Sequence, residues 1–412
     1  MVSFMLVQFT VKNFMSFKNE NILDWSAVNA YKEHSDNLIF VSNKEKFLKV
    51  MSIYGANASG KSNILMAFRF FRKIIRDSFS NANNESFEEI NSNSILKKYY
   101  QPYAFCKEKE DTEFELIFII GDKEYQYGYC YNDQCINYEW LYQTSLETNR
   151  KKIIFERSSD NIELGSSIKK ECQKYINEID NDVLVLSFFN RLKLKNKLFN
   201  DVYNSIIKVL VFCDEFDDMY SHLLVDILIT FIDNEKDNLL QYLEAIESGI
   251  SDIKYRKDKD KVSIYTYHKG LDNNEYKLDI DNESAGTVKS LALYALIKVV
   301  IASGQALFFD ELNIKLHPLL LKFIIDMFNN SSTGAQLIYT THDVTLLSNK
   351  FFRRDQIWFT QKDQYGISKL YSFAEFKIRN DASFEKDYLG GVYGGIPYLK
   401  DFEIGSEDNG EG

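Results

Sequence analysis

The chain has 412 residues and a formal net charge of −11, from 49 Lys and Arg against 60 Asp and Glu. Its 45% apolar and 26% charged content is that of a folded globular protein and excludes a wholly disordered chain. The acidic total weighs against long-range attraction to nucleic acid, the three prolines exclude a proline-rich linker, and no apolar run approaches the length of a membrane helix.

Strands and helices alternate at both ends of the chain, whereas the middle differs. The predicted elements, in chain order, are strands at 5–13 and 47–54, a helix at 62–77, a loop at 80–93, strands at 113–119, 123–131 and 134–142, helices over 168–251, strands within 253–280, a helix at 287–303, a strand at 306–309, a helix at 318–330, and strands at 336–340, 356–361 and 367–373. This order predicts a nucleotide-binding α/β sheet interrupted by an auxiliary domain.

The cysteines and the N-terminus both favour a cytoplasmic protein. The first residues lack the basic region and cleavage site of a signal peptide. The five cysteines contain no CxxC pair and are odd in number, so reduced thiols are expected. They are Cys106, Cys130, Cys135, Cys172 and Cys213.

The strongest motif is GANASGKS at residues 55–62, which matches GxxxxGK[ST] at every fixed position. An apolar strand precedes it and a helical pattern follows, which argues against a chance glycine turn. Lys61 is expected to reach the β- and γ-phosphates, and Ser62 to bind Mg²⁺. The residues expected to bind ATP are Gly55, Asn57, Ala58, Ser59, Gly60, Lys61, Ser62 and Asn63.

A second motif is an apolar strand, residues 306–309, that ends in Asp310 and Glu311. Ligands bind at the carboxyl ends of strands in open α/β sheets. Asp310 is therefore expected to support Mg²⁺, and Glu311 to act as the general base on the attacking water. The alternative, a solvated surface pair, loses weight beside a phosphate loop.

A histidine follows the next apolar strand, 336–340, and lies 32 residues after Asp310. That spacing is the length of a strand–helix–strand unit, so a parallel neighbour would bring His342 to the same edge as Glu311. His342 is expected to contact the γ-phosphate or the water. The alternative is a capping residue, and His268 has no predicted partner.

These motifs together resemble the ABC-type ATPase head of the SMC and RecF group. The segment NESAGT, residues 282–287, stands where that group carries its signature, with Gly286 placed 24 residues before Asp310. The resemblance implies that the signature faces the γ-phosphate bound by a second subunit, so that a homodimer sandwiches two ATP. The signature residues expected to act in trans are Glu283, Ser284, Ala285, Gly286 and Thr287.

More specifically, the sequence resembles bacterial AAA-family ATPases with ABC-like motifs. Asn313 stands where the family often has Asp, and Gln101, beside Pro102, is the candidate for the Q-loop glutamine of the metal site. The stretches that carry this resemblance are residues 13–17, 55–62, 283–287, 309–313, 316–318, 336–343, 353–359, 388–390 and 393–397.

The resemblance implies the fold and the biological setting. The expected fold is α/β, a P-loop NTPase with an ABC-like head in which a mixed, largely parallel core sheet carries an antiparallel β unit and a helical insertion. Residues 1–165 and 253–400 would form the head, 166–252 the insertion, and 401–412 an acidic tail. Many such ATPases act in anti-phage defence and abortive infection, which implies a separately encoded effector, such as a nuclease, and assembly of a dimer or a higher oligomer.

Three other functions stay open. A DNA-repair or chromosome-organising ATPase is the first, but the 220 residues between Ser62 and Glu283 contain no sustained heptads. A nucleotide-gated binder is the second, and Glu311 argues against it; a kinase is the third. DNA contact would need one of two basic groups, Arg191 with Lys193, Lys195 and Lys197, or the acid-interleaved cations of 254–261.

Overall fold

The computed structural model describes residues 4–41, 45–79, 95–159, 161–213, 218–258, 261–378 and 383–397. The predicted loop at 80–93 and the acidic tail at 401–412 lie outside these residues. Within them, the helices are α1 Lys61–Asp77, α2 Ile95–Tyr99, α3 Ser166–Cys172, α4 Val185–Arg191, α5 Leu198–Ile207, α6 Asp218–Asn234, α7 Lys236–Ala245, α8 Ala285–Ser303, α9 Pro318–Asn329 and α10 Phe384–Leu389.

The strands fall into four sheets in the described part of the chain. They are β1 Met5–Lys12, β2 Asn21–Asp24, β3 Leu38–Phe40, β4 Lys46–Leu48, β5 Val50–Gly55, β6 Thr112–Ile120, β7 Lys123–Tyr131, β8 Ile136–Ser145, β9 Lys151–Ser158, β10 Asn161–Leu164, β11 Leu210–Phe212, β12 Ile250–Asp258, β13 Lys261–Lys269, β14 Glu275–Asp279, β15 Ala306–Phe309, β16 Gln336–Thr340, β17 Ile357–Lys362 and β18 Ser368–Ser372.

The central sheet has the order β11-β15-β16-β5-β17-β18. All of its pairings are parallel except that of β17 with β18. Every residue of β5, β15 and β16 is buried, because helices cover both faces of a parallel sheet, and the strands are therefore mainly apolar. The predicted strands at 306–309 and 336–340 are confirmed, and the carboxyl ends of β5, β16 and β15 meet at one edge.

The antiparallel unit is confirmed and is larger than predicted. Its order is β10-β9-β8-β7-β6-β1-β2, so the N-terminal strand closes onto it. The helix α1 lies between this sheet and the central one: Phe71 stacks on Tyr129 at 5.5 Å, and Phe68 stacks on Phe308 of β15 at 4.3 Å. The helix that follows the phosphate loop is thereby fixed from both sides.

The sequence predicted helices throughout residues 168–251, and this prediction is wrong in one place, because the stretch also contains a strand. Leu210–Phe212 forms β11 and pairs in parallel with β15 at the end of the central sheet. A short apolar run cannot be distinguished from a buried helical segment by periodicity alone. The helices α4 and α5 pack into the same apolar core as α1, whereas α6 and α7 pack with β12, β13 and α8 in a separate cluster.

The helix α8 is long and apolar enough to cross a bilayer by length and composition, whereas no run of that length was expected from the sequence. Its side chains contribute to two apolar clusters of the fold: Leu293 and Leu296 pack with the central sheet, and Leu291 and Tyr294 pack with α6 and α7. Burial on opposite sides explains why the helix is apolar nearly all round.

A buried carboxylate joins the antiparallel sheet to α4. Glu139 accepts hydrogen bonds from the backbone N–H of Val185 at 2.7 Å and of Leu186 at 3.1 Å, and from the Tyr127 hydroxyl at 2.9 Å. It therefore occupies the N-terminus of α4, where a negative charge is favoured. Burial nevertheless raises the pKa of Glu139 to about 7, although Arg157 opposes that shift.

We expect Glu139→Gln to change how stability depends on pH. The folded state holds the Glu139 proton up to about pH 7, whereas the unfolded chain releases it near pH 4.3, so this residue makes folding less favourable as pH rises through that window. The difference in melting temperature, variant minus wild type, should therefore become more positive from pH 5 to pH 8. A difference that is constant with pH would contradict the raised pKa; the exposed Glu385→Gln is the matched control.

Candidate functional site

The predicted phosphate loop connects β5 to α1 at the edge of the central sheet. Two glycines are required by the geometry. A Cβ on Gly55 would come within 2.4 Å of the Thr360 Oγ1, and Gly60 has a φ of 112°, where side chains are rarely tolerated. The strand–loop–helix arrangement that the motif predicted is therefore present, with the N-terminus of α1 directed at the loop.

Hydroxyl groups from distant parts of the chain hold the loop. The Ser59 and Thr360 hydroxyls are 2.6 Å apart, and the Ser368 hydroxyl donates to the Ser59 carbonyl at 2.7 Å. Asn63 donates to the Ser16 hydroxyl, also at 2.7 Å. The sequence predicted the strands β17 and β18 but not the roles of Thr360 and Ser368, because a single Thr or Ser in a strand carries no local signal for such a contact.

Lys61 lies at the centre of the site and is buried. Its ammonium group donates to the Gly55 carbonyl at 2.8 Å, to the Ala56 carbonyl at 3.1 Å and to the His342 Nδ1 at 3.2 Å. The His342 Nε2 in turn lies 2.8 Å from the Glu311 carboxylate. Since an ammonium group only donates, Nδ1 accepts, and the ring proton on Nε2 is donated to Glu311.

The predicted edge contact between His342 and Glu311 is thus formed, and it extends to Lys61. Burial lowers the pKa of Lys61 to about 8, although the nearby carboxylates of Glu311 and Asp310 oppose that shift. A buried ammonium group without a directly bonded carboxylate is poorly compensated. The site is therefore suited to an anionic ligand that restores the balance.

The two carboxylates after β15 reach the same site because the chain turns sharply. Glu311 has a φ of 46°, which reverses the strand direction. Thr340, at the end of β16, accepts from the Glu311 backbone N–H at 2.7 Å and donates to the Asp310 carboxylate. Burial raises the pKa of Asp310, opposed by hydrogen bonds from the Ser62 and Thr340 hydroxyls. The bridging role of Thr340 was missed in the sequence.

These groups surround an open cavity of about 790 Å³ above the phosphate loop. Lys362, at the exposed end of β17, was not predicted here; the edge rule that located His342 could have found it. The residues that line the cavity are Asn57, Ala58, Gly60, Lys61, Ser62, Asn63, Glu311, His342 and Lys362.

The residues beside Lys61 also fit a magnesium ion. The Ser62 hydroxyl and the Asp310 carboxylate lie in hydrogen-bonding contact and supply the oxygen ligands that Mg²⁺ prefers. Among the described residues no group of three His, Cys, Asp or Glu side chains could hold a metal unaided. That is consistent with an ion whose remaining ligands come from phosphate and water.

The segment predicted to be the signature begins α8 and does not line the phosphate-loop cavity. Glu283 and Ala285 line a second cavity of about 510 Å³, which Asp310 and Glu311 also line. The Ser284 hydroxyl caps the helix by accepting from the Thr287 backbone N–H at 3.1 Å. Ser284 and Ala285 are exposed, and a Cβ on Gly286 would lie 3.1 Å from the Lys315 carbonyl. The helix N-terminus is therefore open to solvent on a face that its own loop does not use.

Glu283 has partners that the sequence did not predict. Its carboxylate lies 2.6 Å from the His268 Nε2, and the Thr266 hydroxyl donates to it, so the residue before the helix cap is fixed to β13. The expectation that His268 is unpartnered is wrong, because residues that meet across a sheet and a loop share no local pattern. The signature segment is thereby joined to the β12–β13–β14 sheet.

Three further predicted features can be located. Gln101 does not line the cavity; its carbonyl accepts from the Met15 backbone N–H at 2.8 Å, so its Q-loop role stays a prediction. In the second basic group, Lys254, Arg256 and Lys257 lie in β12, which pairs with β13, and residues 259–260 are outside the described part of the chain. Arg256 pairs with Asp258 at 2.9 Å. This pairing with acids reduces the charge available to DNA. The five cysteines, all of them described, form no disulfide with one another.

Comparison with known proteins gives structural neighbours of low sequence identity. An SmcHead bound to the C-winged helix domain of ScpA is 15% identical, with 93% of this chain and 99% of that chain covered and a TM-score of 0.43. An SMC head domain from Thermotoga maritima is 13% identical, with 91% and 100% covered and a TM-score of 0.35. No curated protein matches significantly.

A family match covers most of the chain, from residue 50 to residue 348, and so includes the phosphate loop, the signature segment, the acidic strand end and His342. The fold is that of a P-loop NTPase with a mixed α/β architecture. The chain belongs to the family described as "AAA domain, putative AbiEii toxin, Type IV TA system".

Proposed function

We propose that the chain binds ATP with Mg²⁺ at the phosphate loop, hydrolyses it, and pairs head to head with a second copy around two nucleotides. The observation that carries the proposal is the linked set of Lys61, His342 and Glu311 at one edge of the cavity. If these residues served only as a structural ion pair, there would be no reason for a phosphate loop, a neutral histidine and a carboxylate to meet at one point. Together they supply the parts of a phosphoryl-transfer site.

Binding of the triphosphate would replace hydrogen bonds within the site by hydrogen bonds to the phosphate oxygens. Lys61 would leave the Gly55 and Ala56 carbonyls for the β- and γ-phosphate oxygens, and His342 would turn toward the γ-phosphate. Glu311, released from His342, would accept a proton from the attacking water as general base. Asp310 and Ser62 would hold Mg²⁺, which neutralises charge that develops on the phosphate oxygens.

The exposed N-terminus of α8 supports the pairing of two chains. Ser284 and the free backbone N–H groups behind it form an anion-binding helix end that does not reach the cavity of its own chain. In a head-to-head dimer this end would close over the γ-phosphate held by the partner. Closure would then be more favourable with ATP than with ADP, because only ATP is touched by both chains.

The biological role that we propose is control of a separate effector in bacterial anti-phage defence, in the cytoplasm. The family description names a type IV toxin–antitoxin system, which supports this setting. The moving part would be the cluster of α6, α7 and the β12–β14 sheet, since it packs on α8. Cross-linking Glu311→Gln with ATP in its native host and identifying the captured proteins tests this: a nuclease or toxin supports it, whereas DNA-replication proteins support the repair alternative.

The affinity for Mg²⁺ and a non-hydrolysable ATP analogue should fall with rising pH. Lys61 has a pKa of about 8 in the free chain, and the bound phosphates raise it, so binding above pH 8 takes up a proton. Between pH 7 and pH 9 the affinity should drop about tenfold. Calorimetry in two buffers of different ionisation enthalpy measures both effects.

Lys61→Arg is the control for that experiment, since its guanidinium group stays charged. It should bind the analogue with little dependence on pH, and Lys61→Ala should not bind. If the arginine variant shows the same tenfold fall, Lys61 is not the group that titrates.

Glu311→Gln should retain ATP and hold the dimer closed. The amide cannot accept the proton of water, so hydrolysis should fall by roughly 10²–10⁴-fold while binding persists. Light scattering with ATP should give twice the mass of one chain. An unchanged monomer under saturating ATP would rule out the sandwich.

Ser284→Arg should abolish hydrolysis but spare ATP binding to the isolated chain, because the substituted helix end belongs to the partner's site. Mixing it with Lys61→Ala should restore about a quarter of wild-type activity, since half the dimers are mixed and each has one intact site. Ser303→Arg, at the other end of α8, is the matched control. No recovery in the mixture would favour a site within one chain.

A further inference from the structure

The outer face of the seven-strand order β10 to β2 is open to solvent. Its inner face packs on α1, and side chains alternate between the two faces along each strand. On the outer face, Tyr138 is 53% exposed and Ile153 is 51% exposed. These two apolar side chains lie on neighbouring strands, β8 and β9, near one edge of the sheet.

One cross-strand row on this face combines carboxylates with an indole. Glu163 lies directly opposite Glu156, Glu156 opposite Trp140, Trp140 opposite Gly128, and Gly128 opposite Glu115. We name Glu163, Glu156, Trp140 and Glu115 the outer row. Trp140 lies flat over Gly128, where a Cβ would come within 2.3 Å of the ring, and its Nε1 donates to Glu115 at 2.8 Å.

The outer row lacks a cation of its own. Two carboxylates placed directly opposite each other destabilise a sheet unless a positive group lies between them. Among the described residues, none of the three outer-row carboxylates has a salt bridge. Lys151 lies 4.1 Å above the neighbouring Tyr142 ring, so this face already accommodates an ammonium group.

The chain carries a complementary segment elsewhere. Residues 191–197, RLKLKNK, place a cation at every second position, and all four cations are exposed while the leucines between them are partly buried. The Glu171 carboxylate accepts from the Lys195 and Asn196 backbone N–H groups and holds the segment in place. Lys193, Lys195 and Lys197 have no carboxylate partner within the described residues.

We propose that the outer row of one chain binds the cationic segment 191–197 of a second copy. Four strand spacings, about 19 Å, separate Glu163 from Glu115. The opposite charges of the outer row and of the exposed cations in 191–197 favour the contact. A lysine between Glu156 and Glu163 would relieve their repulsion, and another would lie over the Trp140 face. Nucleic acid does not fit, because the row is anionic.

This contact joins two different patches and is therefore distinct from the head-to-head pairing around ATP. A contact between unlike patches propagates into rings or chains of subunits. It would link dimers into a larger assembly, and it needs no nucleotide, so it stands or falls independently of the hydrolysis proposed above.

A charge swap tests the contact in nucleotide-free protein. Sedimentation at low salt should show the wild type associating with increasing concentration and dissociating in high salt. Glu156→Lys and Lys195→Glu should each weaken association by about tenfold or more. Glu244→Lys and Lys386→Glu, exposed residues elsewhere, carry the same charge changes and should leave it unchanged.

Mixing the two variants gives the decisive result. Each alone repels itself, but together every contact between unlike chains regains an opposite-charge pair, so association should return to near the wild-type level. A wild type that stays a single chain without nucleotide, or a mixture that does not associate, overturns the proposal. Melting curves of both variants confirm that they fold, since these side chains are on the surface.

Discussion

The parallel pairing of β5 with β16, and of β16 with β15, is the constraint on which the site depends. Each of these strands ends at the same edge, and each contributes a different group there: the phosphate loop, the threonine and histidine, and the two carboxylates. A one-residue slip of register would turn Thr340 away from Asp310 and Glu311. Burial of the three strands on both faces opposes such a slip, because every side chain would have to repack in the core on the opposite face of the sheet.

The phosphate loop is stabilised by contacts with distant parts of the chain as well as by its own residues. The α1 helix behind it is fixed between two sheets by stacked phenylalanines, and hydroxyls of β17 and β18 bind its backbone. Lys61 is the exception within this rigid frame, since it is buried on backbone carbonyls and a neutral imidazole. Rigid surroundings with one undercompensated cation favour capture of an anion without reorganisation of the loop.

The helix α8 connects the site to the rest of the fold. Its first turn packs on the chain that follows Glu311, through Gly286 against the Lys315 carbonyl and through Lys289, which donates to the Ile314 carbonyl at 2.7 Å. Its cap is joined to β13 by Glu283. Direct contacts therefore connect the acidic strand end to α6, α7 and the β12–β14 sheet through α8.

The sequence by itself determined the local parts: the glycine loop, the apolar strands ending in Asp310 and His342, and the start of α8 at a serine cap. Each has a signal within a few residues, in periodicity, glycine placement or capping chemistry. Only the tertiary structure decided that Thr340 joins the carboxylates, that Thr360 and Ser368 hold the loop, that His268 fixes Glu283, and that 210–212 completes the central sheet. The residues of these pairs lie far apart in the sequence; Ser59 and Thr360, for example, are 301 residues apart. Strand order and burial bring them together, and a local sequence pattern contains no information about either.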